Sequence, residues 1–137
     1  MDDNSLSMND EFFTQLETAC CDLIYISETD SPVEPFMFDD MKLFLQEVAR
    51  ESEESFPGRT ERRGFDDFFD RLTADKDWHS EAKKKQTERF RNLRKLMADK
   101  TKSLEVLRQG DTRIRIFAFG STPEGKVYGV KMISVET

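Results

Sequence analysis

Histidine, cysteine and glycine are all scarce in this chain of 137 residues, and each shortage removes a class of chemistry. His79 is the only histidine. A zinc site built on two imidazoles is therefore excluded within one chain, as is any mechanism needing two histidines; a carboxylate-only metal site is not excluded. The two cysteines, Cys20 and Cys21, are adjacent and lie in an apolar stretch. They offer neither CxxC spacing nor a disulfide framework, which predicts at least one buried small hydrophobe and a reducing, cytoplasmic setting. The six glycines are dispersed and build no phosphate-cradling loop. Ser27 and Ser31 stand in no GxSxG elbow. No apolar run approaches the roughly 18 residues of a membrane span. Residues 1–9 have neither the positive charge nor the apolar run of a signal peptide.

Charge is abundant but uneven. Asp plus Glu number 28 against 21 Lys plus Arg, a formal charge of -7. Strong binding to free nucleic acid is disfavoured by that balance, although a local basic face is still possible. Hydrophobic and charged residues each make up 36% of the chain, a balance that fits neither a disordered nor a membrane-embedded protein. The length suits one domain with its own core. We expect that domain to span 10–137, behind a flexible tail at 1–9.

Hydrophobic periodicity sets the expected elements. Phe12, Phe13, Leu16, Cys20, Leu23 and Ile24 recur at helical spacing and predict a helix over 10–26, capped by Asn9 or Asp10. Ser27 to Pro32 is a polar loop, and Val33 to Phe38 an edge-like strand, because Pro35 has no N–H to give a ladder. Lys42 to Val48 fits either period. A strand is favoured there, on the argument that the preceding strand needs a neighbour. Arg50 to Gly64 is a charged surface loop or a hairpin tip. Phe65 to Leu72 reads as a short helix. A long helix then begins at Asp77 or Ser80 and runs to about Lys100, with Ala82, Gln86, Phe90, Leu93, Leu96 and Met97 inward.

The last third alternates. Strands are expected over 103–108, 111–120 and 126–135, the last two joined by a Thr122-Pro123-Glu124-Gly125 turn. Ile114, Ile116 and Ala118 face one way and Phe117 and Phe119 the other. A pair greasy on both faces needs cover on both. With helices 10–26 and 80–100 as the covers, the expected fold is α+β: a three-layer α/β/α sandwich around a mostly antiparallel sheet.

Three regions are candidates for function. Residues 1–41 contain no Lys or Arg, and carry acids that include Glu28, Asp30 and Glu34. They are either a solvated face or a docking surface for a cationic cleft, in which loop carboxylates imitate phosphates and Glu28 accepts bidentate arginine bonds. The helix from Lys83 to Lys100 is basic, but Glu81 and Glu88 interrupt it and no stacking aromatics lie on its outer side. His79 and Trp78, at a helix start, read as capping and packing residues. No constellation positions a substrate, so no enzyme is expected.

Taken in order, several segments resemble the nuclease A inhibitor family, small bacterial proteins that block sugar-non-specific DNA/RNA nucleases. They are Leu23-Ile24-Tyr25-Ile26-Ser27-Glu28-Thr29-Asp30 with Pro32, the strand Glu34 to Phe38, Phe68-Phe69, Asp77-Trp78, Gly120 to Gly125, and the closing Val135-Glu136-Thr137. The likeness spans about Phe12 to Thr137. It implies a non-catalytic sandwich related in shape to pathogenesis-related protein 1 folds. It implies that Glu28 enters the nuclease site in place of the scissile phosphate, and that Thr137 reaches the coordination shell of the nuclease's Mg²⁺ or Mn²⁺. The partner-binding set is then Glu28, Thr29, Asp30, Glu34, Glu136 and Thr137, in a 1:1 complex. The chain would need no cofactor or metal of its own, and would contact neither nucleic acid nor membrane directly. Two alternatives stay open: an interaction module with another target, and a nucleic-acid binder using residues 83–100.

Overall fold

The computed structural model describes residues 8–52, 58–74 and 80–136. Most of the expected tail, together with Asp77, Trp78, His79 and Thr137, falls outside them. Met8 and Asn9 belong to the first helix, α1 (Met8–Cys20).

That helix is shorter at its far end than its apolar stripe suggests. Asp22 adopts a φ of 60°, a left-handed turn that helical backbone does not tolerate. Beyond it, Ile24, Tyr25 and Ile26 are β-branched or aromatic and favour extended backbone. They form β1 (Ile24–Ile26), which pairs antiparallel with β2 (Asp30–Pro32). The expected helix end and polar loop are therefore one small hairpin.

Next come β3 (Glu34–Phe38) and α2 (Met41–Ser52). The strand expected over Lys42 to Val48 is thus a helix. Asp40 starts it: its carboxylate accepts the Leu43 N–H at 2.8 Å and its carbonyl the Phe44 N–H at 3.3 Å. The neighbour that β3 requires comes from the far end of the chain. Strands β4 (Thr60–Gly64), β5 (Lys102–Gln109), β6 (Arg113–Ser121) and β7 (Val127–Val135) complete a five-stranded antiparallel sheet of order β3-β7-β6-β5-β4. Proline 35 sits in an edge strand, as its missing donor demands. The turn expected at 122–125 joins β6 to β7, with Gly125 at a φ of 90° donating to the Thr122 carbonyl at 2.8 Å.

Helices α3 (Phe65–Leu72) and α4 (Glu81–Lys100) precede β5. Ser80 caps α4 by accepting the Lys83 N–H at 3.1 Å. Both sheet faces are covered, but not by the helices expected. On one face Phe12 and Leu16 of α1, Phe65 and Phe69 of α3, and Phe90, Leu93 and Met97 of α4 pack on Ile116, Ala118, Tyr128, Val130 and Met132. Among the described residues the other face is covered by α2, whose Phe44 and Val48 meet Phe36, Leu107, Phe117, Phe119 and Val127. Helices α1 and α4 thus share a face. Burying each of the Phe, Leu, Ile, Val and Met side chains contributes about 1.5–3 kcal/mol.

The arginines of α4 serve this packing. Arg89 donates to the Ala19 carbonyl at 3.1 Å and to that of Cys21, closing the C-terminal end of α1. Gln86 bridges the next turn, accepting from Ile24 N–H at 3.0 Å and donating to the Asp22 carbonyl at 3.3 Å. Arg94 ties α4 to α3 through Asp70 at 2.8 Å and Asp66 at 3.1 Å. Among the described residues no helix is long and apolar enough to cross a membrane.

Candidate functional site

Strand β3 ends its pairing with β7 where Glu34 stands opposite Lys131. Beyond that point β7 continues to Val135, and its outward N–H groups need acceptors. Two serine hydroxyls of the β1–β2 hairpin supply them. Ser31 Oγ accepts the Ile133 N–H at 2.9 Å, and Ser27 Oγ accepts the Val135 N–H at 3.0 Å. Glu28 N–H in turn donates to the Val135 carbonyl at 3.4 Å. The hairpin is therefore fastened side-on to the end of β7 by side chains that imitate a ladder.

This arrangement positions the acidic loop. Ser27 N–H donates to the Thr29 carbonyl at 2.9 Å, folding the tip so that Ser27 is half-buried while Glu28, Thr29 and Asp30 are exposed. Ile26, beside them, is 54% exposed.

Glu136 follows directly after β7. Its N–H donates to the Thr112 carbonyl at 2.8 Å. Its carboxylate accepts from the Ser134 hydroxyl at 2.8 Å and pairs with the Arg108 guanidinium. Burial alone would raise the Glu136 carboxyl, but the bonds from Arg108 and Ser134 outweigh it and hold it below the usual carboxylate range. Tyr25, on β1, joins the same group. Burial pushes its phenol up, against the opposing effect of its hydrogen bond with Ser134. Hairpin, strand end and β5 are thus linked through Tyr25, Ser134, Glu136 and Arg108.

The expected partner-binding residues separate into two places. Glu28, Thr29 and Asp30 share the hairpin tip, and that tip is bonded to Val135, the neighbour of Glu136. Glu34 lies opposite Lys131, four residues back along β7, or about 13 Å at the usual strand rise. Strand alternation also puts it on the other sheet face from Glu136. It does not join the group. Thr137 lies outside the described residues.

Sequence reasoning missed Arg108 and Ser134 here, together with the fastening role of the Ser27 and Ser31 hydroxyls. The serines stand four apart on either side of the acidic tip, where the sequence marks them as turn formers but not as acceptors for a distant strand. Their spacing matches alternate N–H groups of a neighbouring strand, but that strand lies about a hundred residues away. Among the described residues, no group of three or more His, Cys, Asp or Glu is placed to hold a metal.

No curated protein matches the chain. The family described as nuclease A inhibitor-like protein matches residues 10–137, nearly the whole length and including the hairpin, the sheet and the closing strand. That match covers far more than half of the sequence, and the chain belongs to the nuclease A inhibitor-like family.

Proposed function

We propose that this protein inhibits a sugar-non-specific DNA/RNA endonuclease, dependent on Mg²⁺ or Mn²⁺, by filling its active site with an anionic projection. The observation that carries the reading is the bonding of the hairpin tip to Val135, through Ser27 Oγ and Glu28 N–H. It makes the acidic loop and the strand end one rigid edge. A nuclease site is cationic and metal-bearing because it binds phosphodiesters, so an exposed carboxylate on a fixed loop is its electrostatic complement.

Roles within that edge differ. Glu28 is the group that stands in for the phosphate. Thr29 and Asp30 flank it. Ile26 supplies an apolar anchor of the kind that interfaces bury at their centre. The Glu136 carboxylate is already engaged by Arg108 and Ser134, so its part is to fix the direction of the strand end. Thr137 comes next and offers hard oxygen ligands to the partner's metal. Glu34 contributes only to the long-range acidic field. The competing use of α4 on nucleic acid loses its arginines, since Arg89, Arg91 and Arg94 are bonded within the fold.

The test is titration of such a nuclease with the wild-type chain and with Glu28→Ala and Glu28→Gln. Inhibition at one-to-one stoichiometry is expected, with the on-rate falling as salt rises. Removing one partner of a desolvated charge pair should weaken inhibition about thirtyfold or more. Full potency of Glu28→Ala would refute the phosphate-mimic role. Failure of the wild-type chain to inhibit any metal-dependent sugar-non-specific nuclease would refute the reading as a whole.

A further inference from the structure

Between the hairpin, α3, the start of α4 and the sheet lies a cleft of about 510 Å³. That volume is typical of a small-molecule site. Its apolar lining includes Tyr25 and Phe68, whose rings stack with centroids 6.3 Å apart, together with Leu72. Among the described residues its charged lining is cationic on balance: Arg63, Arg71, Lys83 and Arg108 against Asp67 and Glu136. In a chain of formal charge -7 this is a local reversal of sign.

Two of the cations are already committed. Arg108 pairs with Glu136, and Arg63 with Glu61 at 3.0 Å. The side chains of Arg71 and Lys83 make no ion pair or hydrogen bond among the described residues. They approach from different elements, α3 and α4, onto the same opening. An aromatic wall beside uncommitted cations selects a ligand with a planar apolar body and an anionic end.

The geometry points to a binding site for a small aromatic anion, an aryl carboxylate or aryl phosphate, in the cleft between Tyr25, Phe68 and Arg71. The ring packs along the Tyr25–Phe68 wall. The anionic group accepts from Arg71 and Lys83. Either half alone forfeits the other's contacts, so binding requires both on one molecule.

The experiment is a titration of the full chain, without any nuclease, followed by heteronuclear NMR and calorimetry. The probes are indole-3-carboxylate and indol-3-yl phosphate, with indole, acetate and inorganic phosphate as the separate halves. Saturable one-to-one binding is expected, with shifts concentrated at Tyr25, Phe68, Arg71 and Leu72. Indole, acetate and phosphate should each bind at least about tenfold more weakly, since each lacks one set of contacts. Arg71→Glu, an exposed change that leaves the core intact, should weaken binding at least about tenfold, and Ala74→Phe should block the cleft. Lys42→Glu, on α2 at the opposite sheet face, should change nothing. Stronger binding of the phosphate probe than of the carboxylate would assign the anion as a phosphate, and the reverse order as a carboxylate. Shifts scattered over exposed lysines, equal binding of the separate halves, or unchanged affinity in both Arg71→Glu and Ala74→Phe would overturn the proposal. Because no nuclease is present, these outcomes are independent of the inhibition assay.

Discussion

Ser27→Ala removes one hydroxyl, and its consequences follow from the three bonds that hydroxyl makes. Ser27 Oγ accepts from Val135 N–H at 3.0 Å and Thr29 N–H at 3.4 Å, and donates to the Thr29 carbonyl at 3.3 Å. Alanine leaves the Val135 donor without its partner. Ser27 and Val135 are both half-buried, so water recovers part of the loss and the net cost is about 1 kcal/mol. A domain of this length has an unfolding entropy near 0.3 kcal/mol/K, so the melting temperature should fall by about 3 °C. Exchange of the Val135 amide with solvent should accelerate about fivefold, and amides in the middle of β6 that exchange by global unfolding should accelerate by about the same factor. Ser27→Thr keeps the hydroxyl and should restore the wild-type value. Inhibition should weaken in parallel with Val135 exchange, because a loosened tip must be ordered again on binding. Unchanged Val135 exchange in Ser27→Ala would refute the view that this serine fastens the hairpin.

Phe44→Ala should cost about 3–5 kcal/mol in chemical denaturation, since Phe44 is fully buried and meets Phe36, Phe117 and Phe119 at ring distances of 5.2, 5.4 and 4.7 Å. The folded Glu136 carboxyl is held below its unfolded value, so the Arg108 pair stabilises fully above the normal carboxylate range. That contribution disappears as the pH falls through the lowered titration. The stability gap between wild type and Arg108→Leu, followed by denaturation at several pH values, should therefore close in acid. Cys20 is buried and its thiol is pushed up to about 12 by desolvation, with Arg89 opposing, whereas Cys21 is exposed. Mass spectrometry after brief alkylation near neutral pH should find one label, on Cys21; a label on Cys20 would refute the assignment.

Local patterns in the chain were sufficient for some elements and not for others. The alternation of β6 and β7, the turn at 122–125 and the long helix ending at Lys100 are all legible, because each depends on neighbours within a few residues. Helix α2 was not. Its Phe44 and Val48 are four apart, but Leu43 and Leu45 blur the period, and both are exposed in the fold, at 44% and 42%. The argument for a strand failed on a non-local fact: β3 finds its partner in residues 127–131. The same blindness applies to the site. Glu28 could be singled out from its loop, whereas the fastening of that loop depends on Val135, and the holding of Glu136 on Arg108, both far off in sequence. Basic residues on α4 looked like a surface property, and only the packing reveals that Arg89 and Arg94 end in carbonyls and carboxylates of other helices.

The uneven covering of the sheet has a consequence for how the molecule comes apart. Three helices share one face, so the loss of any one leaves the others in place. Among the described residues, the opposite face of the sheet depends on α2. Detaching that helix would uncover Phe36, Phe117 and Phe119 together, a sticky aromatic floor. Heat or denaturant would then turn a local detachment into self-association, and the first aggregates should be joined through this floor, at the face remote from Tyr25 and Arg108.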